Sequence, residues 1–253
     1  MSRYLRLLSI LLLFLPFWGN SLFAQSKSLK PGLRLGLASS SMNEDLLAGD
    51  LPAGDLDINV DRIRRLAFNP GVFVEYRLSG SFALQLNAIY NHKGVKVEST
   101  VEGTIFEPSL GQNVNVFIRT QQTLNLAYLS FPLLGKFLFG GKTPGTTRPF
   151  ITAGPEVGVL LSAKTGNLTG DVQAYLPGQG GGAVDLEAPG EDIKDNIESL
   201  EYVFNVGAGA IFPVGNTEIL LEGWYGLGLS KINKTGDSSI KNNAVSLNLG
   251  LMF

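Results

Sequence analysis

The chain has 253 residues, a formal net charge of −2 and no cysteine, and 44% of its residues are hydrophobic while 17% are charged. Without a basic cluster beyond the N-terminus it lacks the electrostatic footprint of a nucleic-acid-binding protein, and without cysteine it forms no disulfide. The 31 glycines and 15 phenylalanines favour many short strands and turns over a helical protein.

The first 24 residues predict a secretory signal peptide. Arg3 and Arg6 precede an apolar run from Leu7 to Leu15, and a small-residue cleavage site follows at Ala24, which is the layout of a cleaved export signal. The apolar run is too short for a spanning helix, which needs about 20 apolar residues. Residues 25–253 are therefore expected to form a single mature β-barrel domain.

Eight strands are predicted from the period-two alternation of apolar and polar residues, which is typical of strands whose two faces meet different surroundings. In the fourth strand, Leu124, Leu126 and Tyr128 have the parity opposite to the apolar residues that follow. A bulge or a change of environment is therefore expected before Pro132. The predicted strands lie near 31–40, 69–78, 81–92, 124–139, 149–163, 200–212, 217–230 and 243–253.

Long and short connections alternate between these strands, and tight links such as "LSGS" and "PVGN" separate the long ones. This asymmetry predicts an all-β fold, an eight-stranded antiparallel up-and-down transmembrane barrel with long extracellular loops and short periplasmic turns. In the second long link, "GVKVESTVEG" and "NVNVFIRTQQTLNL" alternate again. Strands three and four are therefore expected to continue outside the membrane as a protruding hairpin, which either offers exposed edges to a protein partner or shields the barrel rim.

The charged residues of the predicted spans fall on one parity, and the opposite parity is apolar. Because a lipid-facing charge costs roughly 2 to 4 kcal/mol near the bilayer midplane, the apolar parity is expected to face lipid. The charges are expected to pair across a lumen only just wide enough for side chains, with a gated pore as the alternative. The predicted lumen charge network comprises Arg34, Glu75, Arg77, Lys136, Glu156, Glu218 and Glu222.

No catalytic, cofactor or metal site is predicted. His92 is the only histidine, and no nucleophile and orienting group can be assembled around it, so its position beside Lys93 indicates a loop rim. The acidic residues of the first and third long loops lack the spacing of a calcium loop and predict a solvated surface. They are Glu44, Asp45, Asp50, Asp55, Asp57 and Asp61, then Asp185, Glu187, Glu191, Asp192 and Asp195.

Several segments resemble a known family. The signal peptide ending "FAQ", the strand "PGLRLGLASS", the segments "YLSFPLLGKF" and "RPFITAGPEVG", and the end "SLNLGLMF" are together similar to the PorT-type outer-membrane β-barrel proteins, over essentially the whole mature chain. One member of that family is implicated in protein secretion. The resemblance implies an outer-membrane barrel whose last strand, ending at Phe253, carries the signal read by the outer-membrane assembly machinery.

The sequence thus predicts a non-enzymatic, monomeric protein of the cell outer membrane that acts as a scaffold or interaction protein. Its expected partners are outer-membrane lipid, the assembly machinery and a protein at the extracellular loops. Two alternatives stay open: a small gated pore for ions or small solutes, and a secreted soluble β-barrel that binds a ligand. The aromatic residues near the strand ends, which suggest interfacial girdles, disfavour the soluble barrel.

Overall fold

The structure, a computed structural model, describes residues 29–43, 56–109, 111–140, 145–176, 182–234 and 239–253. The predicted signal peptide over 1–24 lies outside these ranges, as do the loop acids Glu44, Asp45, Asp50 and Asp55. Within the described ranges, no helix has the length and hydropathy to cross a membrane.

The described part of the chain is almost entirely β-structure, because alternating residues fill nearly every segment between turns. The strands are β1 (Leu29–Met42), β2 (Leu56–Arg77), β3 (Phe82–Glu107), β4 (Gln112–Leu138), β5 (Arg148–Thr165), β6 (Leu168–Tyr175), β7 (Gly182–Ala188), β8 (Leu200–Val214), β9 (Thr217–Gly228) and β10 (Asn242–Met252), and a 3-10 helix covers Lys194–Asn196.

Eight of these strands pair antiparallel in a ring, in the order β1, β2, β3, β4, β5, β8, β9, β10, with β10 pairing back to β1. The closing pair runs from Gly32 opposite Met252 to Met42 opposite Asn242. Each strand of the ring therefore has two neighbours, as backbone groups in lipid require. The predicted fold class is confirmed, and so is the pairing of the last strand with the first.

The two faces of the ring differ as the parity predicted. On β1, Leu33, Leu35 and Leu37 are exposed outward while Arg34 is buried inside. On β10, the outward row Val245, Leu247, Leu249, Leu251 and Phe253 is exposed, and Asn248 and Gly250 face the lumen. The outer face of these two strands is thus apolar, which suits lipid.

A register shift does occur between Ala127 and Tyr128 in the β4–β5 pairing, but the extra residue, Leu161, lies on β5 and not on β4. Leu124, Leu126 and Tyr128 are fully buried and face inward, like the polar residues Ser130 and Lys136 further along the strand. The change before Pro132 is therefore one of environment: the interior is apolar near the long loops and polar below.

β3 and β4 stay paired up to Glu107 opposite Gln112, so the predicted protruding hairpin is confirmed. Two further features were not predicted. β2 begins at Leu56 and pairs with β3 well before the membrane span, and the third long loop forms the hairpin β6–β7, with β6 pairing to residues 115–121 of β4. Ten strands are therefore present in the described part of the chain, where eight were expected.

Candidate functional site

The interior of the ring holds two clusters of paired charges, brought there by the inward parity of the strands. The turn-end cluster lies toward the short turns and the loop-end cluster toward the long loops. The turn-end cluster consists of Lys30, Arg34, Glu75, Arg77, Lys136, Glu218 and Glu222, and the loop-end cluster of Lys93, Glu156 and Glu201.

Lys136 on β4 is the centre of the turn-end cluster. Its side chain is fully buried, with Nζ 3.3 Å from Glu75 Oε2 and 3.6 Å from Glu222 Oε2. The ammonium also lies 4.4 Å from the ring centre of Phe150. Burial of an ammonium is costly unless it is paired, so the two carboxylates compensate for the loss of water around Lys136.

Arg34 on β1 crosses the lumen beside Lys136. Its Nη2 donates to Glu222 Oε1 at 2.5 Å and its Nη1 donates to Asn87 Oδ1 at 2.5 Å. The guanidinium stacks over the ring of Trp224, 3.9 Å from its centre. Arginine suits this position because its planar head can stack and donate in two directions, and it ties β1, β3 and β9 together across the bore.

The turn-end cluster continues to the turn-end mouth of the ring. Arg77 Nη2 lies 2.6 Å from Glu218 Oε2 and Arg77 Nε lies 3.1 Å from Glu75 Oε1, and Lys30 Nζ lies 2.8 Å from Glu218 Oε1. Here the side chains of Arg77 and Glu218 are about one fifth exposed, whereas the side chain of Glu75 is fully buried. The cluster therefore runs without a break from solvent into the interior.

The loop-end cluster corrects one part of the predicted network. Glu156 was expected to join the other six charges, but its ion-pair partner is Lys93, at 3.9 Å, and it accepts a hydrogen bond from Asn205 Nδ2 at 2.8 Å. Lys93 Nζ lies 2.7 Å from Glu201 Oε2, and Glu201 Oε1 accepts a hydrogen bond from Asn242 Nδ2 at 2.9 Å. Position along β5 explains the difference, because Glu156 lies nearer the loop end than the turn-end charges do.

Three charged residues of these clusters were missed by the sequence analysis: Lys30, Lys93 and Glu201. Glu201 and Lys93 share the inward parity of their strands, and this parity would have found both. Lys93 was instead grouped with His92 at a loop rim, whereas its side chain is buried. His92 itself is exposed on the outer wall, with its ring 4.6 Å from that of Tyr90.

A small polar cavity of about 40 Å³ separates the two clusters. Asparagines line much of it, among them Asn69, Asn91 and Asn205. Glu156 Oε1 and Asn242 Oδ1 face this cavity and accept no hydrogen bond from any described residue. A polar cavity of this volume suits a few hydrogen-bonded waters, and it is too small for a solute path.

An apolar plug covers the lumen toward the long loops. Two loop segments contribute to it, one between β7 and β8 and one between β9 and β10. A backbone hydrogen bond from Glu198 N to Ile232 O at 2.7 Å joins the two segments, and another from Ile232 N to Ile240 O at 2.8 Å lies within the second. The plug thus seals the loop end by hydrophobic burial. It consists of Met42, Val95, Val97, Leu124, Leu126, Tyr128, Leu160, Ala163, Ile197, Ile232 and Ile240.

The charged side chains of the interior pair mainly with one another. Among the described residues, no group of three or more His, Cys, Asp or Glu side chains is placed to hold a metal ion. The buried carboxylates are engaged by cations or amides, so the arrangement fixes the strands across a filled lumen. Phe253, the residue predicted to carry the assembly signal, lies on the outer wall and is about half exposed. Its backbone N–H donates to Pro31 O at 3.0 Å.

The chain is similar to several solved structures at low sequence identity. The chain is similar to Neisserial surface protein A (10% identity, covering 88% of this chain and 95% of that chain, TM-score 0.38). It is also similar to OprG from Pseudomonas aeruginosa (12% identity, 90% and 97% covered, TM-score 0.39) and to Ail, the attachment invasion locus protein of Yersinia pestis (15% identity, 90% and 100% covered, TM-score 0.33). No curated protein matches the chain.

The family comparison extends over most of the chain. The family described as outer membrane protein beta-barrel domain matches residues 23–234, a range that holds every strand of the ring except β10. The ring, its apolar wall and its paired interior charges agree with such a domain. The chain belongs to the outer membrane protein beta-barrel domain family.

Proposed function

We propose that this outer-membrane protein is a non-enzymatic interaction protein, which binds a protein partner through a sheet that extends beyond the loop end of the barrel. The extracellular sheet is formed by residues 56–64 of β2, 95–107 of β3 and 112–123 of β4, together with β6 and β7. The observation that carries this proposal is the uninterrupted pairing of β3 and β4 far past the apolar belt.

Strand length supports a projection well outside the bilayer. β3 has 26 residues and β4 has 27, whereas a transmembrane strand needs about 9 to 11. More than half of each strand is therefore available outside lipid. A barrel that only crossed the membrane would not need this additional strand length.

Both edges of the extracellular sheet are open in the described part of the chain. β7 pairs only with β6, and residues 56–64 of β2 pair only with β3, because the β1–β2 pairing stops at Ser40 opposite Arg65. An open edge can take up an extended segment of a partner by strand addition. Asp185 and Glu187 on β7 discourage promiscuous pairing at that edge.

The filled lumen supports an interaction role over a pore. Arg34, Lys136 and Trp224 occupy the bore, and the apolar plug covers it. A monomeric scaffold is the simplest state that fits, because the ring leaves none of its eight strands unpaired and needs no second copy to satisfy its backbone.

Site-specific photo-crosslinking in intact cells tests the interaction role. A photoreactive residue at Val184 on β7, which is 65% exposed, should give a discrete protein adduct. The matched control is Leu249, which is 56% exposed on the lipid-facing wall of β10. Absence of a protein adduct at Val184, or the same adduct at Leu249, would overturn the proposal.

The similarity of "YLSFPLLGKF" and "PFITAGPE" to PorT-type proteins supports protein secretion as the process that this partner serves. The hairpin β6–β7 can be removed to test it, because Thr165 N donates to Glu191 O at 2.9 Å and the two ends of residues 168–188 are thus already joined. A strain lacking the gene should show reduced export of secreted proteins. The full chain should restore export, and the chain without residues 168–188 should not. Normal export in the strain that lacks the gene would argue against the link to secretion.

A further inference from the structure

The ladder between β2 and β3 is interrupted in the outer wall. Pairing stops at Arg64 opposite Val95 and resumes at Gly71 opposite Ile89, so residues 65–70 of β2 face residues 90–94 of β3, with one residue more on β2. Such an extra residue makes a bulge that pushes its strand out of line.

Side chains replace the missing ladder, which makes the interruption a built feature of the wall. Asn69 Nδ2 donates to Asn91 Oδ1 at 2.7 Å, and His92 N donates to Asn69 Oδ1 at 3.0 Å. From β1, Ser40 Oγ both donates to Gly94 O and accepts from Gly94 N, each at 2.9 Å. The N–H of His92 and the N–H and C=O of Gly94 thereby gain hydrogen-bond partners although the two strands stay apart.

A cleft of about 470 Å³ opens at this gap. This volume is in the range of small-molecule sites. The wall cleft is defined by Arg65, Leu66, Phe68, Tyr90, His92 and Lys164.

The position of the wall cleft is the upper rim of the apolar belt. Leu66 and Phe68 are 67% and 66% exposed, which is more than the other large apolar side chains of the wall, and Tyr90 is also exposed. Directly beyond them begins the extracellular sheet. The cleft therefore lies where lipid headgroups meet the acyl chains, the level at which amphipathic aromatic rings concentrate.

The charge of the wall cleft is positive. Arg65 and Lys164 are exposed, and no carboxylate lines the cleft in the described part of the chain. Neither cation has an ion pair among the described residues; the neighbouring Asp192, which bridges Lys164 through the backbone, directs its Oδ1 to Lys194 N. Lys93 does not add to this charge because Glu201 neutralises it.

We propose that the wall cleft binds a lipid of the outer leaflet whose phosphate-bearing head group has a net negative charge. The phosphate would lie between Arg65 and Lys164, since guanidinium and ammonium groups make charge-assisted hydrogen bonds to phosphate oxygens. The acyl chains would lie along Leu66 and Phe68, and basic pockets beside transmembrane segments bind lipid head groups in this way. This inference is independent of the partner proposed for the extracellular sheet.

Native mass spectrometry of the full chain tests this inference, using the protein released from nanodiscs of zwitterionic phosphatidylcholine that contain lipid A as the anionic, phosphate-bearing probe. Wild type should retain lipid A in preference to phosphatidylcholine. The double variant Arg65→Gln/Lys164→Gln should bind lipid A about tenfold more weakly, because two charge-assisted contacts are lost. The matched control Arg64→Gln/Lys231→Gln removes the same charge from exposed positions outside the cleft and should bind as wild type does.

Three outcomes would overturn the inference. Equal loss in both double variants would indicate a general charge effect, and equal retention of phosphatidylcholine would indicate a plain apolar groove. Displacement of lipid A by inorganic phosphate at equal concentration would indicate a free-anion site. Each variant is first checked for the gel shift of a folded barrel before and after boiling, and the single variants Arg65→Gln and Lys164→Gln serve where the double variant does not fold.

Discussion

Glu222 is the side chain on which two buried cations depend, because both Arg34 and Lys136 contact its carboxylate. In Glu222→Gln the charge is lost while the shape is kept, and Glu75 is then the one buried carboxylate left in the turn-end cluster. Removing one partner of a buried pair costs about 3–5 kcal/mol. We expect a loss of this order in the free energy of unfolding, measured by guanidinium titration in detergent micelles.

Glu218→Gln is the control for that measurement. Glu218 also contacts two cations, Lys30 and Arg77, but all three side chains are partly exposed. Solvent screening limits such pairs to about 1 kcal/mol or less. Equal destabilisation by the two substitutions would show that burial does not set the strength of the turn-end cluster.

Phe253 is proposed as part of the assembly signal. Its side chain lies on the outer wall and is 54% exposed, so Phe253→Ala removes little packing inside the barrel. We expect the variant to insert more slowly into outer membranes through the assembly machinery, while its unfolding midpoint stays close to that of wild type. Leu249→Ala, on the same face of β10, is the control, and normal assembly of Phe253→Ala would count against the signal.

At the scale of elements, two loop segments act as a unit in the apolar plug. Ile197 and Ile232 are fully buried, and Ile232→Asp would place an unpaired charge among apolar side chains. We expect roughly hundredfold faster amide exchange of residues 189–199, 229–234 and 239–241, because an uncompensated buried charge costs several kcal/mol. Hydrogen exchange of the protein in micelles measures this change.

The strands of the ring do not depend on the plug for their hydrogen bonds, so their amides should keep their protection in Ile232→Asp. Ile58→Asp makes the same change at a position that is 39% exposed on the extracellular sheet, and it should leave both loop segments protected. If exchange quickens equally in β5, β8 and β9, the plug is part of the barrel's global stability and not a separate cap.

The elements that meet lipid could be predicted from the sequence, and so could the protruding β3–β4 hairpin, but the segment 56–64 of β2 and the hairpin β6–β7 could not. Lipid excludes charge from one face, so β1, β9 and β10 show strict period-two alternation. The segment 56–64 of β2 and the hairpin β6–β7 have solvent on both faces. Their alternation is short, as in "LDINVD" and "VDLE", and both segments were read as loops.

Pairing within the lumen was predictable only in part. Parity places Glu75, Glu156 and Lys136 inside, but the partner of each depends on its height in the ring and on the strand opposite. The height and the opposite strand are set by the register between strands that are distant in sequence. The contact between Arg34 and Glu222 is an example. The split into two clusters, and the assignment of Glu156 to Lys93, therefore required the structure.

The whole molecule places two independent obstructions in series, the apolar plug at the loop end and the turn-end cluster below it. An eight-stranded ring has an interior just wide enough for its own side chains, and here Arg34, Lys136 and Trp224 occupy it. We therefore expect no steady conductance from the purified protein in planar bilayers. Ile232→Asp should also fail to conduct, since loosening the plug leaves the turn-end cluster in place. A porin added to the same bilayer verifies the recording, and reproducible current steps from wild type whose ion selectivity shifts in Arg34→Gln would establish a pore instead.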